Sequence, residues 1–175
     1  MAPEVITDDF EQNISEGDLG GWSINGYVPQ DPNNPGHVVQ WQIRRVSNIS
    51  RSGVNAVELF IDGKQDDGTI WLERKISVKK DVQTRVSVSF WFYSEQKSFN
   101  TIAAVVAYAE TDKPEIEDDF AVVGVANEVA GWKNYACTTN LKAGSNGEVW
   151  VAVGISVRWE TYMTYYVDDV KIEIA

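Results

Sequence analysis

The stretch TYYVDDVKIEI, from Thr164 to Ile174, decides how the rest of the chain is read. Tyr166, Val170, Ile172 and Ile174 share one parity, which predicts a strand with a core face, and Asp168 stands among them on the same side. A carboxylate turned inward needs a partner. The residue types available leave three: an Arg, a cluster of backbone N–H groups, or a hard cation such as calcium. Near the other end, ITDDFE at Ile6 to Glu11 repeats the same short acidic and aromatic grammar. The first and last strands are therefore expected to lie side by side and close the fold.

Outward from this stretch, short alternating runs recur. Val149, Val151, Val153, Ile155, Val157 and Trp159 form a long apolar face opposite Trp150, Ala152, Gly154, Ser156 and Arg158. In RVSVSFWFY, Val86, Val88, Phe90 and Phe92 oppose Ser87, Ser89, Trp91 and Tyr93. Ile70, Leu72, Ile76 and Val78 oppose Trp71, Glu73, Lys75 and Ser77, with Arg74 breaking the apolar side. Val57, Leu59 and Ile61 oppose Glu58 and Phe60 and run into Asp62-Gly63, a turn signal. Val39, Trp41 and Ile43 alternate with Gln40, Gln42 and Arg44. TIAAVVAYAE and DFAVVGVA add further strands, and the acidic run Glu115 to Asp119 between them reads as a solvated loop. No segment holds a helical i, i+3, i+4, i+7 apolar pattern. The expectation is one all-β domain over residues 1–175, an antiparallel two-sheet sandwich.

The formal net charge of −11 argues against nucleic acid and anionic membranes, which need a basic face. The local group Arg44, Arg45 and Arg51 reads as a solvated strand edge. No apolar run approaches a membrane span, so no membrane insertion is expected. A single cysteine, Cys137, excludes an intramolecular disulfide and reads as a small buried apolar residue. The start MAPEV fits an intracellular protein or a chain relieved of an export signal, in which case an extracellular or cell-surface place is expected.

Several short motifs carry a resemblance: DDFE near the start, GGW at Gly20 to Trp22, SGVNAVEL at Ser52 to Leu59, GWKNY at Gly131 to Tyr135 and the terminal YYVDDVKIEI. In this order they resemble the jelly-roll carbohydrate-binding modules appended to glycoside hydrolases. The resemblance implies jelly-roll topology and non-catalytic binding of a polysaccharide. It also implies a structural Ca2+ tying the first strand to the last, with Glu11 and Asp168 as side-chain ligands and Ser52 and Gly53 contributing backbone oxygens. Asp169, of opposite parity, is expected at the surface.

Sugar rings present apolar C–H faces and hydroxyls, so a binding face needs aromatic planes together with amide and carboxylate groups. Trp91 and Tyr93 supply the planes, because the other side of their strand is filled by core residues. Trp71, Glu73, Trp150, Arg158 and Gln42 are expected as neighbours on the same sheet. A second arrangement, at the loop ends, would use Trp22, Tyr27, Trp159 and Tyr162. Trp41 and Trp132 are assigned to packing.

Catalysis is not expected. His37 is the only imidazole, in a Pro-Gly loop, and no serine elbow, His pair or phosphate loop accompanies it. Paired carboxylates remain the one route to glycoside hydrolysis, with Glu58, Glu73, Glu148 and Glu160 as candidates. The competing reading is an assembly protein of a surface, spore or virion, in which the aromatic face joins a homo-oligomer or a partner.

Overall fold

The computed structural model describes residues 2–12, 15 and 17–175. The strands are β1 (Glu4–Asp8), β2 (Ser23–Tyr27), β3 (Trp41–Val46), β4 (Ala56–Asp62), β5 (Thr69–Ser77), β6 (Gln83–Ser94), β7 (Ala103–Glu110), β8 (Ala121–Val125), β9 (Gly131–Lys142), β10 (Glu148–Val157) and β11 (Tyr162–Ile174). Glu117–Asp119 forms a single 3₁₀ turn, and no α-helix occurs among the described residues. Two antiparallel sheets result, one ordered β3-β4-β11-β6-β9 with β1 also on β11, the other β2-β5-β10-β7-β8. The all-β two-sheet sandwich expected from the alternation, with the jelly-roll topology that the resemblance implies, is the fold observed.

The core lies between the sheets. Val57, Leu59, Ile61, Val86, Val88, Phe90 and Phe92 come from the first sheet, and Ile70, Leu72, Val105, Val149, Val151, Val153 and Ile155 from the second, all essentially without exposure. These are the inward parities read from the alternation, because period-2 side chains place every second residue on one face. Asp62-Gly63 does not close a hairpin: β4 and β5 belong to different sheets, so this turn opens a crossover. Cys137 is half-buried rather than buried.

As expected, β1 runs antiparallel to β11, pairing Glu4 with Ile174 and Asp8 with Val170. On the same edge β4 pairs Val57 with Val167 and Asp62 with Tyr162, so β1 and β4 lie end to end along β11 while β6 holds the opposite edge. The junction falls at Asp168 and Asp169. There β11 carries a bulge: Asp168 faces Trp91 but Lys171 faces Ser89, one residue more on β11 than on β6, and Asp169 takes a φ of 47°.

This extra residue corrects the parity read from the sequence. Met163, Tyr165 and Val167 enter the core before the bulge, and Val170 and Ile172 enter it afterwards. Tyr166 and Asp168 therefore point to the outer face, not inward with Val170. A bulge breaks period 2 and leaves no signature in an alternation count.

The acidic run Glu115 to Asp119 is largely exposed, as expected, but it belongs to a longer connection that packs onto the domain. Residues 111–120 form a strap over the outer face of the second sheet, with the Phe120 ring 4.9 Å from that of Trp71 and 5.7 Å from that of Tyr108.

Gly154 marks the tightest approach in the second sheet: a Cβ there would stand 2.1 Å from the Ile70 carbonyl oxygen and 2.7 Å from Trp71 Cβ. Gly154→Ala is expected to destabilise the domain by about 1–3 kcal/mol through overpacking. A thermal melt followed by circular dichroism would register this as a fall in Tm of roughly 3–10 °C.

Candidate functional site

The outer face of the first sheet is open, and the ladder registers assemble it row by row. Trp132 on β9 lies opposite Tyr93 on β6, Tyr93 opposite Tyr166 on β11, Tyr166 opposite Glu58 on β4, and Glu58 opposite Arg44 on β3. One row across five strands thus carries three aromatic rings and ends in an ion pair. Ring centroids are 5.2 Å apart for Tyr93 and Trp132 and 6.0 Å for Tyr93 and Tyr166, while Arg44 Nε donates to Glu58 at 2.8 Å. The Tyr166 hydroxyl is pushed above its usual range by burial and then by the Glu58 and Glu95 carboxylates.

The next rows place Asn134, Trp91 and Asp168 together on one side and Thr164, Phe60 and Gln42 on the other. A cleft flanks the aromatic row on each side, along the strand direction. One, of about 510 Å³, is lined by Tyr166, Thr164, Tyr162, Trp159, Glu95 and Glu160 among others. The other, of about 800 Å³, contains Trp91, Ser89, Asn134, Arg51 and Lys171. In the second cleft the Arg51 guanidinium lies 4.0 Å over the Trp91 ring and is held by Asp169 at 2.9 Å. One face of the indole is therefore already stacked by a side chain.

Of the residues expected at the site, Trp91, Tyr93 and Gln42 share this face. Trp71, Glu73, Trp150 and Arg158 do not: the first three stand on β5 and β10 in the other sheet, and Arg158 directly follows β10. The strap covers that face. Trp71 is wholly buried and donates its indole N–H to Glu73 at 2.8 Å; Glu73 is ion-paired with Lys113 at 2.7 Å and Arg158 with Glu117 at 2.7 Å. Lys113 also lies 5.3 Å from the centre of the Trp150 ring. The alternation along β5 and β10 was read correctly, but the assignment of strands to sheets is set by long-range pairing that no local pattern encodes.

Trp132, assigned to packing, belongs to the aromatic row, and Tyr166 and Asn134 join the face as well. Aligning GWKNY antiparallel to RVSVSFWFY would have found Trp132 and Asn134, but β7 and β8 intervene and no local signal marks that pairing; Tyr166 was hidden by the bulge. The loop-end arrangement separates: Trp159 and Tyr162 line the first cleft, Trp22 is buried with its N–H on Asp8 at 3.0 Å, and Tyr27 lies on the edge strand β2. The three arginines each hold a partner, so they form no phosphate-binding patch.

Glu11, Ser52, Gly53 and Asp168 do come together, around the loop before β4. Asp168, fully buried, accepts the N–H groups of Arg51 at 2.7 Å and Ser52 at 3.2 Å on one oxygen and that of Asp169 at 2.7 Å on the other. Burial nevertheless raises its pKa. Glu11 accepts Val54 N–H at 2.8 Å and Asn55 N–H at 2.6 Å on one oxygen and the Asn55 side-chain amide at 3.0 Å on the other. Asp169, expected at the surface, is partly buried and accepts the Ser52 hydroxyl at 2.6 Å.

Calcium requires oxygen ligands with free lone pairs directed at one point. Here the loop turns N–H donors to both carboxylates, and the Gly53 carbonyl accepts the Ser50 hydroxyl at 3.0 Å. This donor set does not fit the calcium that the resemblance implies. No cluster of three His, Cys, Asp or Glu suited to a metal occurs among the described residues.

The Asn55 N–H is the main cause holding Glu11 below its ordinary pKa of 4.5. A depressed carboxylate contributes stability above its unfolded pKa and loses it as pH falls through the folded value. Glu11→Gln is therefore expected to lower Tm at pH 7 and to flatten the decline of Tm below the ordinary carboxylate range; melts across pH on both proteins would check this.

No protein-family model matches the sequence, and no curated protein matches it. Among solved structures, the CBM61 module TmCBM61 in complex with β-1,4-galactotriose is 16% identical, with a TM-score of 0.52 over 89% of this chain and 90% of that one. The CBM22-1 xylan-binding domain of Paenibacillus barcinonensis Xyn10C is 13% identical, with a TM-score of 0.58 over 99% and 96%. A cyclase from Fischerella sp. TAU is 11% identical, with a TM-score of 0.50 over 98% of both chains. At these identities the likeness is one of backbone architecture. The chain adopts the β-sandwich fold of the carbohydrate-binding modules.

Proposed function

We propose that this domain binds a polysaccharide without transforming it, through the open outer face of the first sheet. The observation that carries the reading is the row Trp132, Tyr93, Tyr166, Glu58 and Arg44, flanked by a cleft on each side. Aromatic planes offer the C–H faces of sugar rings a dispersive and dehydrating contact, and the adjacent amide, carboxylate and guanidinium groups suit hydroxyls. A row spanning five strands fits a chain lying across the sheet better than a single small ligand. The solved carbohydrate-binding modules with this fold, which bind xylan or galactotriose, support the same reading.

The candidate carboxylates favour binding over hydrolysis. Glu73 is sealed beneath the strap with Lys113, Glu148 pairs with Lys75 at 2.8 Å, and Glu58 is committed to Arg44. Glu160 alone of the four lines a cleft without a partner of this kind among the described residues. His37 sits exposed in its loop.

Binding of the purified protein to a panel of soluble and insoluble polysaccharides, read by tryptophan fluorescence for the soluble ones, tests the proposal. A bound glycan is expected to lose roughly 10-fold or more in affinity in Tyr93→Ala and Trp132→Ala with the fold retained, and to be indifferent to Trp150→Ala on the other sheet. No response to any glycan from folded protein would turn the reading to assembly. Exposed Phe99 and Val122 would then direct the search for a self-association surface, with mass in solution as the measurement.

Trp91 gives a separate expectation. Because Arg51 covers one face of its ring, a sugar stacking there must displace the guanidinium. Arg51→Ala is expected to change glycan affinity several-fold while leaving the Tyr93 row in place; titration of this variant beside the wild type would show the size and direction of the change.

A further inference from the structure

We propose that the guanidinium of Arg45 is the resident cation at the junction between the N-terminal segment and the sandwich, beside Glu11, one of the carboxylates to which the resemblance assigns a calcium ion. Arg45 lies on β3, half-buried, on the edge facing the segment that leaves β1. One of its terminal nitrogens, Nη1, is directed at two main-chain carbonyls, that of Gln12 at 3.0 Å and that of Phe10 at 3.5 Å. These carbonyls flank Glu11.

The local backbone explains how they converge. Phe10, almost completely buried, takes a φ of 57°, an unusual conformation for a bulky residue. Asp8 steadies this turn by accepting the Phe10 N–H at 3.0 Å. The reversal aims the carbonyls of residues 10 and 12 at one point, the kind of oxygen cradle that a hard cation uses. Arg45 supplies the positive charge there, and its charge also contributes to holding Glu11 ionised.

Charge balance points the same way. Glu11 has Arg45 within electrostatic reach, Asp169 has Arg51 at 2.9 Å, and Asp168 is met by three backbone N–H groups. A divalent ion at Glu11 and Asp168 would have to compete with the N–H donors on both carboxylates, and at Glu11 it would meet the charge of Arg45 as well. A planar guanidinium instead satisfies several acceptors at once and stays charged at all accessible pH. The junction is therefore closed by groups the chain itself carries.

Thermal melts of the purified full chain test this, with calcium content measured on the same sample. The expected result is that EGTA leaves Tm unchanged, that added calcium chloride does not raise it, and that calcium is substoichiometric. Arg45→Met, which keeps the aliphatic stem, should lower Tm by roughly 5–10 °C, and Arg45→Lys by less. A fall in the wild-type Tm on chelation, or an Arg45→Met protein that melts with the wild type, would overturn the proposal. Should Arg45→Met fail to fold, the chelator melt and the Arg45→Lys variant decide it.

Discussion

The bulge at Asp168 and Asp169 is the constraint on which the rest of the first sheet depends. At this point β11 exchanges one ladder partner for another, β4 for β1, along a single edge. A break of this kind leaves backbone groups of neighbouring segments without a strand to pair with. The buried Asp168 carboxylate supplies the missing acceptor, drawing in the N–H groups of Arg51, Ser52 and Asp169. Burying an anion costs several kcal/mol, but hydrogen bonds to a charged acceptor contribute about 1.5–3 kcal/mol each, so three of them offset much of that cost. The raised pKa of Asp168 shows that burial remains the larger influence.

The same bulge decides what the outer face presents. By inserting one residue it keeps Val170 and Ile172 in the core while leaving Tyr166 and Asp168 outside. Without it, the strand would bury either the first or the second half of its apolar set and expose the other. Tyr166 is the middle of the surface that joins the β9–β6 aromatics to the Glu58–Arg44 pair, so the closure of the fold and the composition of the candidate site have one structural origin.

The two sheets treat their outer faces in opposite ways. Both carry tryptophan, acid and base at alternating positions, and by composition alone they are equivalent candidates. The second is covered: the strap seats Phe120 over Trp71 and brings Lys113 and Glu117 to Glu73 and Arg158, satisfying groups that would otherwise meet ligand. The first is left without such a strap, with Tyr93 and Trp132 half-buried, Tyr166 buried beside them, and a cleft on each side. What distinguishes the open face from the covered one is the path of a ten-residue connection, not the residues on the strands.

Alternation along β4, β5, β6 and β10 determined the fold class and the inward face of each of these strands, because in a chain with no helical apolar pattern a period-2 apolar face is left only another sheet to pack against. Kinship of grammar between ITDDFE and TYYVDDVKIEI determined that the chain ends meet, and Trp91 and Tyr93 were legible as outward aromatics for the same local reason. Tertiary structure alone decided which strands share a sheet, and so separated Trp71, Glu73, Trp150 and Arg158 from Trp91, Tyr93 and Gln42. It decided that the parity of β11 breaks at Asp168, that Trp132 joins Tyr93, and that loop amides and Arg45 meet the carboxylates and carbonyls near the N-terminal segment. Each of these rests on contacts between residues far apart in the chain, where a local pattern records what a side chain is but not what will be brought against it.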